Sequence, residues 1–211
     1  MDCNVNVALI PAKDSLTAEC CPVDWARSCI EIAYRNNCGK SVMCRDGMAQ
    51  LRLLLADITS GKGQEGDVAL IRELCQVVSS TPGCALSAAA AENVLFALRQ
   101  YPDDWDAHCV RKRCRTLNCL AYTGIYIDPA VCTGCGKCRE HAPAGAVLGE
   151  EGFIHVIADE NAVKTEEFLS CCPQSAIKKY GAVKPRGIPE TPVVVGSVPQ
   201  GGVSRRRRRR D

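Results

Sequence analysis

The sequence predicts an α+β chain of two parts, a small helical bundle and then a compact domain of a different kind. Two observations carry this. Apolar residues recur at helical spacing from Val23 to Leu98, and that periodicity then gives way to Cys132-Thr-Gly-Cys135-Gly-Lys-Cys138 and a distant Cys172-Pro173. Val23 to Arg35 places Val23, Ala26, Ile30 and Ala33 on one face, and Arg45 to Thr59 does the same with Met48, Leu51, Leu55 and Ile58. Gly61 to Gly66 breaks the pattern. Asp67 is the expected cap of a third helix with Leu70, Ile71, Leu74 and Val78 as its stripe, and Pro82-Gly83 ends it. Ser87 is the expected cap of a fourth helix carrying Val94, Leu95 and Leu98, and a short helix runs from Pro102 through Arg113. Such stripes are core, and Cys29 and Cys75 are expected among them as ordinary small buried residues.

A length of 211 residues suits one or two small globular domains. The expected division is an N-terminal segment 1–17, a helical bundle 18–120, a second domain 121–180 and a disordered tail 181–211. Met1 to Lys13 is polar and short, unlike an export signal, and no apolar stretch reaches membrane-spanning length. Sixteen cysteines without such a signal point to thiolate metal ligation in a reducing compartment, so a cytoplasmic location is expected. The tail ends in Arg205 to Arg210. Without that block the formal net charge of +2 turns mildly acidic, so the body offers no basic field suited to nucleic acid. No G-x-G-x-x-G opens a βαβ unit and no hydrolytic constellation stands out, which argues against unaided NADH oxidation or hydrolysis.

Three cysteines spaced by two residues turn their sulfurs toward one point, and a distant fourth beside a proline completes the thiolate cage of a cubane iron–sulfur cluster. Cys132, Cys135, Cys138 and Cys172 are that set. Ala142, ahead of Pro143, stands where a two-cluster protein has a further cysteine, so one cluster is expected. Cys171 is the alternative fourth ligand, and a zinc knuckle on the same cysteines is the alternative metal. Gly134 and Gly136 allow positive backbone angles in the ligand loop. With Cys172-Pro-x-x-Ala176-Ile177, the stretch Asp128 to Tyr180 resembles a single-cluster 4Fe-4S ferredoxin domain, which implies a compact ferredoxin-like βαβ-type fold.

Upstream, Asn37-Cys38-Gly39-Lys40, Cys44-Arg45-Asp46-Gly47 and Cys84-Ala85-Leu86 resemble the iron–sulfur C-terminal region of the NADH-binding flavoprotein subunit of complex I and of electron-bifurcating hydrogenases. The resemblance implies a second cluster in the bundle, with Cys38, Ser41, Cys44 and Cys84 at its ligand positions. Ser41 replaces a family cysteine and Met43 a family proline, which leaves three outcomes: a cubane with an oxygen ligand, a three-iron cluster on the three cysteines, or no cluster. Cys21-Pro-Val-Asp24-Trp-Ala26-Arg27 and the run His108, Cys114, Cys119 are similar to stretches of the bifurcating members. Cys21, His108, Cys114 and Cys119 form a candidate structural zinc set if the first and fifth helices pack together, with Cys20 as a substitute for Cys21 and a solvent-facing histidine as the alternative. Cys3 and Cys109 have no assigned role, and His141 and His155 are expected at the surface. The implied activity is electron relay as a non-catalytic subunit. The electrons would pass between a flavin- and NAD(P)H-binding oxidoreductase subunit and an electron-acceptor protein. A metal-stabilised adaptor and a redox sensor are the other classes.

Overall fold

Helical spacing of apolar residues becomes five α-helices in the first part of the computed structural model, which describes residues 6–81 and 83–197. They are α1 (Pro22–Asn36), α2 (Met48–Thr59), α3 (Asp67–Ser80), α4 (Ala85–Gln100) and α5 (Pro102–Cys109). Pro22 and Pro102 open α1 and α5 at positions where a missing N–H costs nothing. A π-helical turn, Met43–Gly47, leads directly into α2 and buries Cys44. Val23, Ala26, Ile30 and Ala33 of α1 are fully buried, as are Met48, Leu51, Leu55 and Ile58 of α2, and they meet Ile71, Val94, Ala97 and Trp105 in one core. At about 1.5–3 kcal/mol for each large apolar side chain, that core is the main stabilising term of the unit.

The elements depart from sequence expectation at their ends. Gly66, not Asp67, caps α3, and the Asp67 carboxylate instead accepts the Gln64 N–H at 2.7 Å. Leu70 is 44% exposed and leaves the stripe to Ile71 and Val78. Helix α4 starts at Ala85 with Cys84 at the cap, so Ser87 lies buried in the first turn. Helix α5 stops at Cys109, and Lys112, at φ 49°, turns the chain back while its ammonium donates to the Gly63 carbonyl. Pro82, Cys3 and Arg205 to Arg210 lie outside the described residues.

The chain divides into two compact units between Tyr122 and Thr123. In the second, β1 (Gly124–Ile127), α6 (Lys137–Glu140), β2 (Val147–Leu148), β3 (Phe153–Ile154), β4 (Val156–Ile157), α7 (Glu166–Ser170), β5 (Ile177–Tyr180) and β6 (Val193–Val194) follow in order. All pairings among the described residues are antiparallel: β1 with β5, with Ile127 opposite Ile177, β2 with β4, and β3 with β6. Ile125, Val163, Phe168 and Ala176 form the centre of a small core. Two expectations are corrected here. Residues 181–197 are not a featureless tail, because Val193–Val194 pair with β3 and the Val195 N–H bonds the Gly152 carbonyl. His155 is not at the surface, being 1% exposed between β3 and β4.

Replacing Ile30 with alanine should lower the stability of the first unit by about 2–5 kcal/mol, read as a shifted urea transition followed by helical circular dichroism.

Candidate metal centres

The β1–β5 ladder sets the first group of sulfurs. At its end the Asp128 N–H bonds the Ala176 carbonyl at 2.8 Å, and the Cys132 N–H bonds the Asp128 carbonyl at 3.0 Å. The loop of Cys132 and Cys135 and the segment after Cys172 therefore leave neighbouring points. Gly134 has φ 71° and no room for a Cβ, which would lie 2.9 Å from the backbone of Gly152 and Phe153, so the loop lies directly on the start of β3. Gly136, at φ 77°, caps α6 and brings Cys138 into its first turn. Cys132, Cys135, Cys138 and Cys172 line one pocket, with apolar Ile127 and Ile177 and with His155. The Ala176 N–H donates to Cys172 Sγ, 3.3 Å away. Cys171 precedes it at the C-cap of α7, and burial raises its pKa. Burial, then the neighbouring sulfurs of Cys132, Cys171 and Cys135, push the Cys138 thiol up to about 12.

Four sulfurs on an apolar pocket, one of them facing an amide donor, suit a thiolate-held cluster. They suit a single zinc ion less well. Among the described residues, the set whose donor atoms all stand within 4.8 Å of one another is a different one: Cys21, His108, Cys114 and Cys119, all buried.

That second set joins the two ends of the helical unit. Cys21 caps α1 ahead of Pro22, and His108 lies in the last turn of α5. The loop carrying Cys114 and Cys119 folds back through positive φ at Lys112 and Leu117. Cys21 Sγ is 3.4 Å from His108 Nε2 and 3.7 Å from Cys119 Sγ. His108 Nδ1 lies 2.6 Å from the Asp104 carbonyl, so Nδ1 donates there and Nε2 is the ring nitrogen that faces the sulfurs. The Asp104 carboxylate is held in turn by Arg115 at 3.2 Å. Burial alone would lower the His108 pKa, but the sulfurs of Cys114 and Cys21 outweigh it and carry it up to about 10. Contacts from Cys119 and Cys21 lower the Cys114 pKa, and contacts from Cys114 and Cys21 raise that of Cys119, so one sulfur ionises at its neighbours' expense. Cys20 stands apart, with Thr17 Oγ1 3.4 Å away.

The third group is less closed. Cys44 and Cys84 bring their sulfurs to 3.6 Å, and Ser87 Oγ lies 3.3 Å from Cys84 Sγ. Burial raises the Cys44 pKa, with Ser87 and the Gly39 amide opposing it. Cys38 is exposed. Ser41 Oγ accepts the Cys44 N–H at 3.1 Å, so the hydroxyl works as a cap at the π-helical turn. The remaining thiols among the described residues are core: burial pushes Cys29 and Cys109 up to about 11 and Cys75 up to about 12. His141 is exposed, as expected, beside Glu167. Sequence reasoning missed His155 and Ser87. For His155 the signal was present, since a histidine inside Phe153-Ile-His-Val-Ile157 interrupts an otherwise apolar run.

Comparison with known proteins agrees with the resemblance read from the sequence. Residues 24–108 match the family described as the NADH-ubiquinone oxidoreductase-F iron-sulfur binding region. The NADP-reducing hydrogenase subunit HndC of Solidesulfovibrio fructosivorans is 30% identical over 135 residues, which cover 64% of this chain and 28% of that protein. The F 2 subunit of NADH-quinone oxidoreductase from Rhizobium meliloti (strain 1021) is 32% identical over 94 residues, covering 44% and 22%. The corresponding F subunit from Escherichia coli (strain K12) is 30% identical over 88 residues, covering 40% and 19%. The chain thus spans less than a third of the length of these relatives.

Ser41→Ala should cost the helical unit about 1 kcal/mol through the lost cap on Cys44, measurable by chemical denaturation.

Proposed function

We propose that this chain, whose helical unit carries an iron–sulfur binding region of the NADH-ubiquinone oxidoreductase-F kind, is an electron-transfer protein or subunit. Cys132, Cys135, Cys138 and Cys172 are the residues assigned to a 4Fe-4S cluster. The observation that carries the reading is the convergence of these four cysteines on one pocket, with the Ala176 N–H aimed at Cys172 Sγ. When bound, such a cluster supplies a one-electron couple. The chain's own residues do the rest. Cys138, buried, anchors the inner side, Ile127 and Ile177 limit water, and amide N–H groups offset negative charge on sulfur. Cys135 is exposed and marks the side at which a partner would approach.

The partners in this reading are a flavin- and NAD(P)H-binding oxidoreductase subunit and an acceptor protein. Relatives named as hydrogenase and quinone oxidoreductase subunits support it. No helix among the described residues is long and apolar enough to cross a membrane. A cytoplasmic location is part of the proposal.

Cys21, His108, Cys114 and Cys119 are assigned to a structural zinc ion, because four buried N and S donors within 4.8 Å match a closed tetrahedral site. Cys38, Cys44 and Cys84 are assigned to a second, three-thiolate site. There the Ser41 hydroxyl serves as a cap on the Cys44 N–H. A metal-stabilised adaptor without electron transfer is the second reading, favoured by the closed geometry of the zinc set.

Anaerobic iron, sulfide and zinc analysis, with paramagnetic resonance after dithionite, separates them. A reducible cluster supports the carrier, and zinc alone supports the adaptor. Cys132→Ala should abolish the ferredoxin-type signal while helical circular dichroism persists, and full iron content in that variant would show the ligand assignment to be wrong. Cys114→Ser should lose the zinc and lower the melting temperature of the helical unit without changing the iron count. In the unaltered protein zinc should be lost as pH falls, since protons compete for the three thiolates and the imidazole. Retention of zinc to pH 4 would contradict this assignment.

A further inference from the structure

We infer that His155 is a positioning residue for the cluster pocket: its ring donates a hydrogen bond to a sulfur of the group held by Cys132, Cys135, Cys138 and Cys172, and thereby raises that group's reduction potential. The inference rests on the cluster reading above. His155 is 1% exposed, and among the described residues the buried side-chain nitrogens without a hydrogen-bond partner are Trp105 Nε1 and both ring nitrogens of His155. A buried polar group left without a partner is costly, and native structures rarely tolerate it. His155 lines the same pocket as the four cysteines, so the natural partner of its ring is whatever they hold.

Two backbone contacts fix the ring there. Gly149, at φ 133°, is so close that a Cβ would lie 3.0 Å from the imidazole, and the ligand loop at Gly134 lies on Gly152 and Phe153, just before His155. Burial, then the positive charge of Arg139, lower the His155 pKa against the pull of the Phe153 backbone, which neither ring nitrogen meets at hydrogen-bond geometry, and an imidazole offers an N–H in either protonation state. Sulfide and thiolate sulfur are acceptors, which makes that N–H the matching group. Sulfur gains electron density on reduction, so the bond strengthens in the reduced state and the potential rises.

The test uses the full chain, reconstituted anaerobically with iron and sulfide, carrying ¹⁵N-histidine. Unaltered protein is compared with His155→Leu, which has no donor, and His155→Gln, which restores one. Expected are equal iron contents, a lower midpoint potential in His155→Leu, and partial recovery in His155→Gln. Pulsed paramagnetic resonance should show weak ¹⁵N and exchangeable-deuteron couplings in the unaltered protein that vanish in His155→Leu. An unchanged potential at full iron content, or no histidine coupling in the unaltered protein, overturns the inference. A strong coupling typical of directly bonded nitrogen also overturns it, by making His155 a ligand. Should His155→Leu fail to assemble, Gly149→Ala, which displaces the ring, replaces it with the same expected fall in potential. Absence of iron from unaltered protein defeats the cluster reading itself, whereas full iron without coupling defeats only the role of His155.

Discussion

Convergence of cysteine sulfurs at the end of the β1–β5 ladder is the constraint on which the second unit depends. Its strands are two to four residues long and pair only two at a time, and isolated ribbons of that kind are marginal in water. The core around Ile125 and Phe168 is correspondingly small. What unites the pieces is the junction where Asp128 meets Ala176, because it sends the Cys132 loop and the Cys172 segment to one side of the ladder. Gly134 then lays the loop on the backbone of Gly152 and Phe153, so β3, and β6 behind it, are tied to the same point.

The helical unit relies on sulfur differently. Its core is continuous from Val23 to Trp105 and supplies most of the packing. The group around His108 instead joins the beginning of α1 to the chain that leaves α5. The Asp104 carbonyl orients the imidazole, Arg115 steadies Asp104, and the Tyr122 hydroxyl bonds the His108 carbonyl at 3.1 Å. A side chain with so many supports has its ring position decided before any ion arrives, which lowers the ordering cost of binding.

Much of this was legible in the sequence. The apolar spacing located α1 and α2 almost to their ends, and the C-x-x-C-x-x-C run identified the loop that meets Cys172, because both depend on short-range periodicity. Helix ends were less legible: Gly66 and Cys84 took cap positions from Asp67 and Ser87, whose side chains found other partners nearby. Non-local pairing was least legible. Nothing local in Val193-Val194 announces β3 as its partner, and nothing local to His155 announces that the ligand loop lies across the turn before it. Ser41 is a mixed case, since the missing thiol was evident from the motif but the bond it makes to the Cys44 amide was not.

Of the four cysteines on the cluster pocket, Cys138 is buried, Cys132 and Cys172 are half-buried, and Cys135 is exposed. Whatever these residues hold, Cys135 is the sulfur that dissolved dioxygen and peroxide meet first, and oxidation beyond sulfenic acid would remove it from the donor set for good. In the proposed reading, the side of the loop nearest a docked protein is therefore also its most perishable, and a bound partner would act as a shield against air.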